Sequence, residues 1–362
     1  MNQPVEPGRR EEAGLVEPRA AGGTGSRDLV SRALSGQGAA RTPTGPLAVH
    51  FCAAVAGHSL RDYTSHARLL AESVVRYYER FKPDAVWVSA DTWVSAQAMG
   101  ARVGAVDDDQ PFGGLGPPLI QTASDIDRVP AADPSSQGRY PLMVEALARV
   151  VEQLGKEAFI VACFDQFPFS LAAALAGLGE IMVKAVEDPP FVAALMERCL
   201  EHGTAYARAL SDAGADMLSG GDAPAGLLGP GRYRELALPF EKRLIAQLKA
   251  ATHKPVSLHI CGRARPILAD MAGSGADVLE IDHCVDLEQA CRIAGADVGL
   301  WGNLDPVGLL ARGSAAQVRQ AAQRAVATAR ASGCQRFVLS SGCTLAVQTP
   351  PENLEAMLRY YV

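Results

Sequence analysis

The chain has 362 residues, 48% apolar and 20% charged, with a formal net charge of −6. That length and composition can bury one large α/β barrel or two smaller cores. The acidic balance, the lack of any extended basic run and the absence of a spanning-length apolar stretch argue against nucleic acid and membrane as partners.

The first 28 residues, "MNQPVEPGRREEAGLVEPRAAGGTGSRD", carry early acids and no apolar segment. They read as a disordered leader, residues 1–28, and not as an export or transit signal. Residues 29–362 are expected to form a single domain. The eight cysteines (Cys52, Cys163, Cys199, Cys261, Cys284, Cys291, Cys334 and Cys343), in a chain without an export signal, point to a reducing cytoplasm and free thiols.

From residue 47 a rhythm sets in. Eight apolar runs follow one another: "LAVHFCAAV" (47–55), "DAVWVSAD" (84–91), "AFIVACFD" (158–165), "ADMLSGGD" (215–222), "PVSLHICG" (255–262), "ADVLEIDH" (276–283), "ADVGLWGN" (296–303) and "QRFVLSSGC" (335–343). They are apolar nearly throughout, as strands covered on both faces are. Helical patterns lie between them, over 66–81, 141–155, 189–214 and 231–252, with shorter ones after 265 and 286. Alternation of this kind predicts an α/β fold, a (β/α)8 TIM barrel. An open doubly wound sheet is the competing fold, but no phosphate-binding glycine loop follows an early strand.

Residues 100–140 break the rhythm. They are rich in Pro, Gly and Asp and read as a long excursion after the second strand, with a short extra strand at 101–106. In a barrel, a loop leaving the C-terminal end of a strand sits on the catalytic face.

The strands end in Asp91, Asp165, Asp222, His259 with Cys261, Glu280 with Asp282 and His283, Asn303 with Asp305, and Cys343. A barrel gathers all of these on one rim. His259 and Cys261 are two apart in a strand, so their side chains share a face. One histidine and two cysteines suit Zn²⁺, with a fourth position open to a substrate atom. A packed histidine beside small buried thiols would give the same sequence, and both readings stay open on the residues alone. Among the rest, the spacing of Cys284 and Cys291 gives filler at least as easily as ligands, and His283 reads as a strand-end orienting group. His58 and His66 read as solvated, Asp107–Asp109 as a surface acidic run, and Trp87, Trp93 and Trp301 as core or pocket wall.

Several segments resemble the uroporphyrinogen decarboxylase superfamily. The most specific are "LHICGRARPILADMAGSGADVLEIDHCVDLEQA", "GLWGNLDPVGLL" and "FVLSSGCTLAVQTPPENLEAMLRYY". The resemblance spans roughly residues 30–362 and implies a (β/α)8 barrel. The superfamily's decarboxylases carry an N-terminal R-Q-A-G-R motif for substrate carboxylates. The matching "HFCAAVAGHSLRDYTSHARLL" lacks it, and "SGCTL" stands where their late loop reads "GHG". These departures favour the corrinoid-dependent methyltransferase branch.

That branch implies Zn²⁺ on His259, Cys261 and Cys343. It also implies methylcobamide as methyl-donor substrate and a thiol or tetrahydrofolate as acceptor. No corrinoid-ligating D-x-H-x-x-G motif is present, so a corrinoid protein is the expected partner. Asp91, Asp222 and Glu280 are the candidate catalytic carboxylates; Asp91 matches the decarboxylases' substrate-facing aspartate, and the other two would orient ligands or acceptor. The alternatives are uroporphyrinogen decarboxylation, with Arg61, Arg102 and Arg263 as candidate substrate contacts, and non-catalytic corrinoid or tetrapyrrole binding.

Overall fold

Seven of the eight apolar runs form strands. In the computed structural model, which describes residues 25–362, these are β1 (Ala85–Val88), β2 (Phe159–Gln166), β3 (Met217–Gly221), β4 (Val256–Ile260), β5 (Val278–Ile281), β6 (Gly299–Leu304) and β7 (Phe337–Ser341). They pair in parallel and in chain order. Every residue of β1, β5 and β7 is buried, because one face meets the lumen and the other meets helices.

The first run is a correction. "LAVHFCAAV" forms the helix Val49–Ala56, ended by Gly57 in the left-handed conformation. Its alanines favour a helix, and a glycine at this cap stops it. The eighth barrel position is filled by the segment just before it. Thr44 bridges Leu339 of β7 in parallel. The Gly45 N–H donates to the Leu339 carbonyl, and the Asp84 and Ala85 N–H groups donate to the Thr44 carbonyl. Trp301 anchors this closure by donating its indole N–H to the Gly45 carbonyl at 2.7 Å. A Cβ on Gly45 would lie 2.4 Å from that indole, so only glycine lets the backbone approach so closely.

Strand alternation sorts the lumen from bottom to top. At the N-terminal end, Trp87, Phe159, Val161, Met217, Trp301 and Val338 form an apolar plug. Val30 and Leu34, from the helix Ser26–Leu34, close it from below. Ser26 donates to Asp84 at 2.8 Å and Arg27 to Asp216 at 2.6 Å. The end of the expected 1–28 leader is therefore helix; residues 1–24 lie outside the described residues. Higher in the lumen the inward positions turn polar, through Ser219, Ser257 and Glu280 to His259 and Cys261.

The four long helical patterns appear at Ala67–Phe81, Tyr140–Leu154, Pro189–Asp212 and Leu238–Thr252. Pro189 opens the third, and the Asp188 side chain caps it by accepting the Phe191 N–H at 3.2 Å. Two further helices, Pro168–Ala176 and Leu178–Glu187, follow β2. Among the described residues no single helix is long and apolar enough to cross a membrane; this pair passes only jointly, across a 113° bend. The extra strand expected at 101–106 is reduced to one antiparallel bridge, Gly104 to Phe112.

Candidate functional site

His259 and Cys261 leave the end of β4, and Cys343 follows β7. Their ligand atoms all lie within 4.8 Å of one another. His259 Nε2 is 2.8 Å from Cys261 Sγ, and the two Sγ atoms are 3.8 Å apart. A tetrahedral zinc with bonds of about 2.3 Å to sulfur holds two thiolates about 3.8 Å apart. The Nε2–Sγ separation is shorter than such an ion needs by about 0.7 Å, so the imidazole would move outward on loading. His259 Nδ1 donates to the Glu280 carbonyl at 2.9 Å, which fixes the tautomer with Nε2 as the free ligand atom.

The protonation pattern suits a site that exchanges protons for a cation. The hydrogen bond from Cys261 lowers Cys343 against the effect of burial, and with the help of His259 it falls to about 4. Burial opposes the His259 imidazolium, but the hydrogen bond and charge of Cys343 lift it to about 9. The Cys261 thiol is pushed up, first by its bond to Cys343 and then by burial. All eight cysteines are free.

The carboxylates around the cluster divide by role. Glu280 lies in the lumen, where it accepts from Ser219 Oγ at 2.7 Å and from Ser257 Oγ. Burial raises its pKa. Asp282 accepts the Gly262 N–H at 2.9 Å and the Cys284 N–H at 2.8 Å, and so holds the turn after Cys261 against β5. Its side chain also meets His283 Nδ1 at 2.9 Å. Gly342 packs against this turn, where a Cβ would lie 2.4 Å from the His283 backbone nitrogen. That close approach brings Cys343 to the other two ligands.

Asp91, the strand-end carboxylate after β1, is paired within the chain. Both its oxygens are taken by Arg139, one at 3.0 Å, and its Oδ1 also accepts the Trp93 N–H at 2.8 Å. Its carboxylate faces an arginine from its own chain. Asp222 accepts from the Ser170 N–H and Oγ, each at 2.7 Å. It faces Glu241, which accepts from Tyr233 at 2.5 Å. The remaining Asp222 and Glu241 oxygens have no other hydrogen-bond partner. Burial lifts Asp222 to about 6 and pushes Glu241 well above the usual carboxylate range, so the two carboxyls can share a proton. Asp222 thus braces the helix after β2 from behind the rim.

A cavity of about 720 Å³ opens over the rim and reaches His259 and Cys261. The excursion after β1 forms one wall, with Arg102 and the run Gly113–Leu119. Trp93 is pocket wall, whereas Trp87 and Trp301 are core. Of the other arginines expected near a substrate, Arg61 is paired with exposed Asp107 at 2.6 Å, and Arg263 does not line the cavity. Arg139 carried no sequence signal, because it sits in the irregular segment before a helix. Asp165 did end a strand run. It lines the cavity in a left-handed conformation, φ 83°, and burial raises its carboxyl to about 7.

Comparisons with known proteins place this architecture. A uroporphyrinogen decarboxylase of Nostoc punctiforme is 30% identical over 304 residues, covering 82% of each chain. One of Prochlorococcus marinus is 29% identical over 303 residues, 82% of this chain and 83% of its own. In structure, a methyltransferase from Methanosarcina mazei matches with a TM-score of 0.83 at 22% identity, over 93% of this chain and 98% of its own. A B12-independent methionine synthase from Shewanella matches with a TM-score of 0.55 at 12% identity, over 88% and 96%. The two structural likenesses bear on the fold and agree with the barrel. The profile of uroporphyrinogen decarboxylase (URO-D) matches residues 25–361, and the chain belongs to that family, whose named members here include decarboxylases and whose barrel is shared by a methyltransferase.

Proposed function

We propose that this protein is a zinc-dependent methyltransferase that moves a methyl group from a methylated corrinoid, presented by a corrinoid protein, to a thiol or tetrahydrofolate acceptor. The observation that carries the reading is the convergence of His259, Cys261 and Cys343, the first two of which line the cavity. Zinc, when bound, would supply a Lewis acid that keeps an incoming thiol deprotonated. The chain's own residues do the rest. The Glu280 carbonyl orients His259, Asp282 holds the Cys261 turn, and the cavity wall screens the acceptor from water. The methylated corrinoid, as substrate, would supply the activated methyl group to the sulfur and keep the electron pair of the broken bond, while the thiol proton would leave to solvent. The cytoplasm is the proposed setting, since a reducing compartment keeps both cysteines available.

The test is metal analysis of protein purified without chelator. About one zinc per wild-type chain is expected, with loss in Cys261→Ser and Cys343→Ser. A folded, metal-free wild type sinks the reading.

Identity of 29–30% to proteins named uroporphyrinogen decarboxylase favours a second reading, decarboxylation of a tetrapyrrole. Against it stand the Asp91–Arg139 pair and a cavity lined, among the described residues, by a single arginine, Arg102. Many substrate carboxylates would lack bidentate partners. Incubation with uroporphyrinogen decides it; carboxylate loss would favour the decarboxylase.

A further inference from the structure

The strand β2 has an irregularity that the proposed mechanism does not use. Its register against β3 shifts between Cys163 and Gln166, and Asp165 there adopts φ 83°. Consecutive strand residues normally point to opposite faces. A bulge re-aims a side chain, and here both Asp165 and Gln166 line the cavity that reaches His259 and Cys261.

Both carry an acceptor without a donor. Asp165 is 4% exposed. Its Oδ2 accepts the Ser95 N–H at 2.7 Å, but Oδ1 is buried with no hydrogen-bond partner. The Ser95 hydroxyl has no other partner and lies beside this carboxyl, where it can turn to donate to it. Gln166 spends its amide N–H on the Thr92 carbonyl, which leaves Oε1 buried and unpartnered. Orphaned buried acceptors are rare and costly. Two on adjacent residues, in a strained bulge on a cavity wall, ask for a ligand that brings donors.

The surrounding charges narrow the ligand. The neighbouring Asp91 is already matched by Arg139. The cation on the cavity wall, Arg102, packs beside Gly116 in the excursion. The Arg139 charge reaches Asp165, but its guanidinium bonds to Asp91, so Asp165 has no ion-paired cation of its own among the described residues. Gln166 pairs with Gly221 and Gly221 with His259, so the bulge and the ligand cluster lie two strands apart, about 10 Å between backbones. A small molecule joining a thiol to an ammonium through two or three carbons can touch both.

We infer that Asp165 and Gln166 form a recognition subsite for a primary ammonium group, and that the methyl acceptor is an amino thiol in preference to a purely anionic one. This rests on the function proposed above. Both orphan oxygens are covered by the cavity wall, so the ammonium meets them after a side-chain rotation. Asp165 acts here in recognition; the bond to be made lies at the sulfur.

Three thiols with the same two-carbon spacer test it: 2-aminoethanethiol, 2-mercaptoethanol and 2-mercaptoethanesulfonate. Metal content is measured first. Binding to the cobalt-substituted protein is then read from the thiolate-to-cobalt absorption band. The wild type should bind the amine at least about tenfold more tightly than the alcohol, and the sulfonate least well. Asp165→Asn keeps a residue that tolerates the left-handed conformation and should erase the preference for the amine while leaving the alcohol's affinity within about threefold. Rotational ordering of the fold by circular dichroism should be unchanged. A metal-loaded protein that ranks the three thiols equally, or an Asp165→Asn variant that keeps the amine preference, overturns this inference alone. A metal-free wild type overturns the proposed function and this inference with it.

Discussion

Removing Arg139 separates a structural Asp91 from a substrate-facing one. The Asp91 side chain is fully buried and that of Arg139 is 13% exposed. Arg139→Met keeps the aliphatic stem but deletes the guanidinium. The carboxylate then retains only the Trp93 N–H, while Gln97 and the Thr64 carbonyl lose their donor as well. Breaking one side of a buried ion pair costs about 3–5 kcal/mol, because a charge is left behind unpaired. Adding Asp91→Asn removes that charge, and its amide oxygen can still accept the Trp93 N–H. The double variant should therefore regain a substantial part of the loss, on the order of 1–3 kcal/mol of coupling. Urea unfolding followed by circular dichroism at pH 7.5, with the cycle of four proteins, measures both quantities. Asp91→Asn alone should still bind metal. The reasoning is refuted if Arg139→Met unfolds within about 1 kcal/mol of wild type, or if the double variant is no more stable than the single one.

Gly342→Ala should lower zinc affinity by roughly 10–100-fold with the barrel still folded, because the new Cβ drives Cys343 away from the His283 turn; chelator competition checks it. Zinc affinity of the wild type should fall as pH falls from 8 to 6, since His259 and Cys261 hold protons that the metal must displace; isothermal titration at the two pH values reads it. Stability should also depend on the Asp222–Glu241 pair. Both carboxyls have raised folded pKa values through burial, with Asp222 at about 6. The folded state holds their protons more tightly, so their contribution is complete below about pH 4; Asp222's part is lost as pH rises through about 6, and Glu241's as pH rises through its own raised pKa. Glu241→Gln keeps an acceptor for Tyr233 and gives Asp222 a donor, so the fall in urea midpoint from pH 5 to pH 8 should be shallower than in wild type.

The strand rhythm made the barrel legible, because buried parallel strands leave short apolar runs that need no partner information. It failed at "LAVHFCAAV", where an apolar segment buried on all sides reads alike as strand or helix. Alanine content and Gly57 decided for helix. The closing contact at Thr44 had no pattern to find, since a single bridge has no period. The ligand trio was legible through spacing in one strand and the resemblance around "SSGC", and the structure brings it together. The Asp91 ion pair was hidden, because a position at a strand end says nothing about Arg139, which arrives from 48 residues along an irregular loop. The Asp165 bulge was equally hidden. Register shifts depend on the neighbouring strand, and no sequence period records them.

The bond that sets the His259 ring has a consequence for how the site can change. Its acceptor is the Glu280 carbonyl, which every amino acid possesses. No point substitution at position 280 deletes that bond; only a change in how β5 lies against β4 can. His259 pairs directly with Glu280 in that ladder, and a slip of one residue would turn all of β5 inside out. The imidazole's aim is therefore insulated from ordinary mutation and tied to the integrity of the barrel itself. Insertions or deletions between residues 262 and 277 are tolerated for aim only while they spare that register. The side chain at 280 is constrained separately, by the Ser219 and Ser257 hydroxyls that donate to it in the lumen beneath the cluster.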